Sequence, residues 1–202
     1  MNAKDYFDNA ADTWDNRFYT PRLLYFLEKL VPQFDLKFGQ QVLDVGTGTG
    51  VLIPYLIKAV EPSGSVTAID FSEEMVQKFK TKYSHIENVT VEVGNIEDAT
   101  FPSEAFDAII CFGVFPHLEN KEKALQNINR MLKPYGKLVI AHALSSEELK
   151  AHHKKVSEHI ARAALPEKNE MLQLLNQTGF AGIRIRDEPG CYLCVAHKPS
   201  RH

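Results

Sequence analysis

The chain has 202 residues, 44% of them hydrophobic and 24% charged, a balance that fits an ordinary globular domain and excludes a disordered chain. Lysine and arginine number 23 against 26 aspartates and glutamates, so with a formal charge of −3 no general attraction to a nucleic-acid backbone is expected. No run approaches the ~18 to 20 consecutive apolar residues of a membrane span. The start lacks an apolar signal core, and three cysteines do not make a disulfide framework. These bounds predict one cytoplasmic domain over residues 1–202, with no nucleic-acid or membrane partner.

In chain order, residues 1–39 precede the first strand and include a predicted helix over Pro21–Leu30. Strands are predicted at Gln41–Gly46, Ser65–Asp70, Val89–Gly94, Phe106–Gly113 and Gly136–Ala143. Helix-like spacing of apolar residues separates them at Leu52–Val60, Ser72–Tyr83 and Lys121–Leu132. Ser72 is a predicted N-cap, with Glu73 and Glu74 placed where a helix dipole favours negative charge. A polar helix with a capping box in Ser145–Glu148 is predicted within the insert 144–165. The last two strands, Gly182–Asp187 and Cys191–His197, are joined by three residues, too few for a crossover helix, so they must be antiparallel. Alternating strands and helices ending in a hairpin predict an α/β fold with a mostly parallel sheet.

The strongest local feature is Val42–Gly50, an apolar strand running into glycines 46, 48 and 50. Glycine there permits positive φ and close ligand approach, and the turn is expected to present free N–H groups to an anionic group. Twenty residues after Gly50, the second strand ends in Asp70, where a carboxylate can hold a ribose diol. The dinucleotide fingerprint would need a third glycine at position 51, which is Val51. Asp44, two residues before the first glycine, suits a cationic amino group better than a pyrophosphate.

The ordered segments VLDVGTGTG (42–50), AIDFSEEM (68–75), VGNIED (93–98), FDAIICFGVFPHL (106–118) and LKPYGKLVI (132–140) resemble the motifs of class I S-adenosylmethionine-dependent methyltransferases. The similarity is to the small-molecule branch related to the ubiquinone and menaquinone biosynthesis enzymes. It implies a Rossmann-like αβα sandwich with strand order 3-2-1-4-5-7-6, strand seven antiparallel, and S-adenosyl-L-methionine as cofactor. By the same resemblance, Gly46, Gly48 and Gly50 line the methionine moiety and Asp44 supports the loop. Asp70 takes the ribose hydroxyls, Phe71 and Met75 pack around the adenine or, alternatively, simply pack the core where the helix opens, Asn95 and Ile96 address the adenine edge, and Phe112 stands near the methyl donor. The family commonly has Asp where this chain has Asn95, and Pro134-Tyr135-Gly136 replaces a usual Pro-Gly-Gly turn.

His117, after the fourth strand, is the candidate catalytic residue, either as proton acceptor or as an ordering hydrogen-bond group. Residues 1–39 resemble the family's helical lid, in which Tyr6, Phe7, Trp14 and Tyr19 could close over donor and acceptor; alternatively these rings pack the first helix onto the sheet. The insert 144–165, with His142 and His152 nearby, would form another wall of the acceptor site, and His152 and His159 would share a helix face. No metal is expected. Cys191 and Cys194 lie three apart on a strand, point to opposite faces and read as buried structural thiols. The expected function is methyl transfer to a small-molecule acceptor by a monomer or homodimer. The alternatives are a non-catalytic S-adenosylmethionine-binding subunit and a nicotinamide-dependent oxidoreductase.

Overall fold

A computed structural model describes residues 3–61, 63–156 and 164–200. The chain divides after Asn95 into two compact units. The first opens with helices α1 (Ala3–Ala10), α2 (Trp14–Phe18) and α3 (Pro21–Leu30), and continues through β1 (Gln41–Val45), α4 (Ile53–Val60), β2 (Ser65–Asp70), α5 (Glu73–Tyr83) and β3 (Val89–Val93). The second holds β4 (Phe106–Phe112), α6 (Lys121–Met131), β5 (Leu132–His142), α7 (Ser146–Val156), α8 (Lys168–Gln177), β6 (Ala181–Glu188) and β7 (Cys191–His197). The seven strands are ordered β3-β2-β1-β4-β5-β7-β6. β1, β2 and β3 pair in parallel, as do β4 and β5, while β7 runs antiparallel to both β5 and β6.

Local signals set the elements. Thr20 caps α3 by accepting from Leu23 N at 3.2 Å, and Pro21 occupies the first helical position, where a missing N–H costs nothing. Ser72 caps α5 by accepting from Met75 N at 3.2 Å. Ser145 and Glu148 form the predicted capping box at α7, with bonds of 2.8 and 3.2 Å in the two directions. In the first unit, Leu27, Leu30 and Phe34 are buried, as are Val42 and Leu43 of β1, Leu56 and Val60 of α4, and Val76 and Phe79 of α5. In the second, Ile109–Cys111, Leu138–Ile140, Leu125, Ile128, Met171 and Leu175 are buried.

Some boundaries differ from expectation. β5 starts at Leu132 rather than Gly136, because the ladder to β4 jumps from Phe106–Leu132 to Ala108–Lys137 and the intervening residues of β5 bulge out. Tyr135 sits in that bulge with φ 62° and is 73% exposed. Helix α4 starts at Ile53, one residue past the expected Leu52, because tight turns continue through Leu52. Helix α8 was not foreseen, although Glu167 and Glu170 form a capping box before its buried Met171 and Leu175. All three cysteines are buried thiols. Among the described residues, no helix is long and apolar enough to cross a membrane.

Candidate functional site

At the end of β1 the backbone turns through Gly46, Gly48 and Gly50 with φ of 66°, 56° and 91°. These are left-handed values that L side chains rarely adopt. At Gly50 a side chain is also excluded by space, since a Cβ would lie 2.5 Å from the Tyr83 ring. The turn is tied to β2: Gly46 N and Thr47 N both donate to Ile69 O, at 2.8 and 3.2 Å.

Two carboxylates are sunk beside this turn. Asp44 is 2% exposed and accepts from Thr47 Oγ1 at 2.7 Å. Asp70 is 6% exposed; its Oδ2 accepts from Gly48 N at 2.8 Å and its Oδ1 from Ser72 N at 2.9 Å. The expectation of free turn amides is therefore corrected: Gly48 N–H is taken by Asp70, those of Gly46 and Thr47 by Ile69 O, and that of Gly50 by Thr47 O at 2.9 Å. Each Asp70 oxygen keeps a further lone pair. Burial pushes the Asp44 carboxyl up to about 7, with the charge of Asp70 adding to the rise, and burial raises Asp70 as well. Among the described residues, neither carboxylate pairs with a lysine, arginine or histidine. Two desolvated acids without a counter-ion suit a cationic guest, because an opposite charge would restore the ionised form of each.

The N-terminal segment is strapped to this turn. Asp8 on α1 accepts from Ser72 Oγ at 2.5 Å and pairs with Lys4 at 2.9 Å. Phe7 meets Phe71 edge-on at 5.6 Å and lies 5.6 Å from Trp14, which stacks on Phe18 at 4.2 Å. The Trp14 indole nitrogen stands 3.8 Å from where a Cβ on Gly48 would be. Tyr19 donates to Thr49 Oγ1 at 2.6 Å, and Thr49 Oγ1 donates in turn to Asp15. Lys82 on α5 pairs with Asp15 and donates to Thr49 O at 3.2 Å, while Tyr83 donates to Gly50 O at 3.0 Å. Burial raises the Tyr19 phenol far above its ordinary value. Of this network Phe7, Trp14, Tyr19, Phe71 and the cap Ser72 were foreseen; Asp8, Asp15, Thr49 and Lys82 were not.

The remaining predicted residues are spread along the elements. Phe71 is half-buried, whereas Met75 is 1% exposed in the packing of α5. Asn95 is exposed after β3, and Ile96 is buried. Phe112 is half-buried at the end of β4, and Gly113 follows it with φ 73°. His117 is half-buried in a 3-10 turn, with its N–H on Val114 O at 2.8 Å. In the same unit Glu97, another residue that was not foreseen, accepts from Glu119 N at 2.8 Å and Asn120 N at 3.1 Å, which fixes the entry to α6. Tyr6 packs edge-on to Phe7 at 5.3 Å. His142 is half-buried at the end of β5, and His152 is exposed on α7. His159 and the part of the insert at 157–163 lie outside the described residues. Among the described residues no three His, Cys, Asp or Glu are grouped to hold a metal.

Residues 36–179 match the family described as methyltransferase domain. The chain belongs to this family. It is 30% identical over 186 residues to the demethylmenaquinone methyltransferase of Staphylococcus aureus, covering 81% of this chain and 77% of that protein. It is 33% identical over 135 residues to an uncharacterised 37.1 kDa protein in a Streptomyces fradiae transposon, covering 67% of this chain. Of that relative's length the chain spans only 37%. A crystal structure of an S-adenosylmethionine-dependent methyltransferase from Aquifex aeolicus is 29% identical and superposes with a TM-score of 0.74, covering 95% of this chain and 98% of the other. This methyltransferase thus has the class I fold, with S-adenosylmethionine as its cofactor, and the buried acids at its glycine turn fit a cationic sulfonium compound.

Proposed function

We propose that the chain transfers a methyl group to a small molecule, and that the glycine turn with Asp44 and Asp70 holds the donor. The supporting observation is the pair of buried carboxylates without a cationic partner among the described residues, beside a turn open to close backbone approach. S-adenosylmethionine, when bound, supplies an electrophilic methyl on a sulfonium. The chain's own work is then to hold, orient and keep dry. Asp44 and the turn hold the ammonium end, and Asp70 offers its spare lone pairs to the ribose diol. Phe71 and Met75 flank the adenine, Asn95 and Ile96 meet its edge, and Phe112 stands by the donor. His117 accepts a proton from the acceptor or orients it.

Support for a small acceptor comes from the ring cluster Phe7, Trp14, Phe18 and Phe71 over the turn. The Staphylococcus aureus relative, named for demethylmenaquinone, points the same way. Under this proposal Tyr6, Trp14, Tyr19, His142 and His152 line the acceptor's surroundings, and the protein acts as a single cytoplasmic domain, as a monomer or homodimer. A screen with labelled donor against thiols, phenols, quinols and amines tests it. Turnover of at least one class, reduced in His117→Ala with S-adenosylhomocysteine binding intact, is expected. Donor binding without turnover of any class would favour a non-catalytic subunit.

A further inference from the structure

The strand ends of the second unit carry a polar row of which only His142 was foreseen. His142 on β5 pairs with Tyr192 on β7, and Tyr192 pairs with Asp187 on β6. Residues directly opposed across an antiparallel ladder share a face, so these three side chains project from one side of the sheet. Two residues further along, the same face is apolar, through Ile140, Cys194 and Ile185. The Asp187 carboxylate is already committed: Oδ1 accepts from Ser146 N at 2.9 Å and Oδ2 from Ser146 Oγ, which seats the start of α7 beside the row.

Tyr192 is different. It is 2% exposed, and its hydroxyl is buried with no hydrogen-bond partner among the described residues. Buried hydroxyls in native proteins are nearly always bonded, and phenylalanine would fill the same space without stranding a polar atom. Burial lifts the phenol far above its ordinary value, so the group stays a neutral donor. The row includes one carboxylate and no lysine or arginine, which disfavours an anionic guest. The aromatic ring, the imidazole in register with it and the apolar row beyond suit a flat molecule bearing oxygen.

We propose that Tyr192 is a substrate-binding residue, its hydroxyl donating to a ring-borne hydroxyl or carbonyl oxygen of the uncharged methyl acceptor at the carboxyl end of β5. The proposal rests on the methyltransferase reading above. Its test is Tyr192→Phe, assayed with labelled donor against phenols and quinols, with thiols and amines in parallel. The variant should raise KM for the phenolic acceptor tenfold or more. It should leave S-adenosylhomocysteine affinity unchanged and the melting temperature equal or higher, since no hydrogen bond is lost. An unchanged KM would overturn the proposal, as would a melting temperature lowered by several degrees with donor affinity falling alongside. Wild-type turnover confined to thiols or amines would overturn it while leaving the methyltransferase reading intact. No turnover on any class would count against that reading first, and this one with it.

Discussion

At Asp44 the cost of burial becomes a pH dependence with a definite sign. The folded protein holds this carboxyl near 7, well above its value in the unfolded chain, so between those values the folded state binds the extra proton. The stability this proton contributes is complete at acid pH, below the ordinary carboxylate range. It falls by roughly 1.4 kcal/mol for each pH unit above that range and is gone once pH has risen through about 7. A cationic ligand reverses the preference, because it favours the ionised carboxylate. S-adenosylmethionine affinity, followed by calorimetry, should therefore tighten from pH 6 to pH 8, and Asp44→Asn should flatten that slope. A wild-type affinity that does not change across this range would contradict the role of Asp44. Tyr135 makes a second prediction at this scale. A left-handed conformation costs an L residue ~1–2 kcal/mol, and its exposed ring has little packing to lose. Tyr135→Gly should raise the stability by about 1 kcal/mol, the relief being partly offset by the entropy of glycine, and a denaturant titration reads it.

At the scale of elements, the strap from α1 to Tyr19 is held to the glycine turn by a few polar anchors. Lys82 is the central one, joining Asp15 to the carbonyl of Thr49. Both partners are about a third exposed, so the pair is worth about 1 kcal/mol at most. Lys82→Met should leave the fold intact yet speed amide hydrogen exchange in residues 3–20, and unchanged exchange there would remove Lys82 as an anchor. Such anchors were not legible in the sequence, because Asp15 and Lys82 are 67 residues apart and no local pattern couples them. Short-range chemistry was legible. Pro21 after Thr20, Ser72 before two glutamates, and the short loop between the last strands each dictate a local geometry that the fold adopts. Helix α8 lay within reach of the same logic, through Glu167 and Glu170 ahead of apolar residues at helical spacing, but its polar composition hid it. Tyr192 reads as an ordinary strand residue; only the lack of a hydrogen-bond partner among the described residues sets it apart.

Across the whole molecule, the antiparallel β7 distinguishes this sheet from an all-parallel dinucleotide fold, and the short hairpin loop before it, three residues as expected and two in the fold, made that feature readable in advance. The strand order itself came from the family resemblance, since hydrophobic patterns do not say which strands are neighbours. The same resemblance supplied the donor-binding roles, whereas the burial of Asp44 and Asp70, with no counter-ion among the described residues, emerged only from the fold. Calorimetric titration of the protein with S-adenosylhomocysteine and with NAD tests that combination most directly. The adenosyl ligand should bind, NAD should not, and Asp70→Ala should weaken the adenosyl ligand by about 1–3 kcal/mol through lost charge-assisted hydrogen bonds. Binding of NAD alone, or an affinity for S-adenosylhomocysteine that Asp70→Ala leaves untouched, would contradict the account.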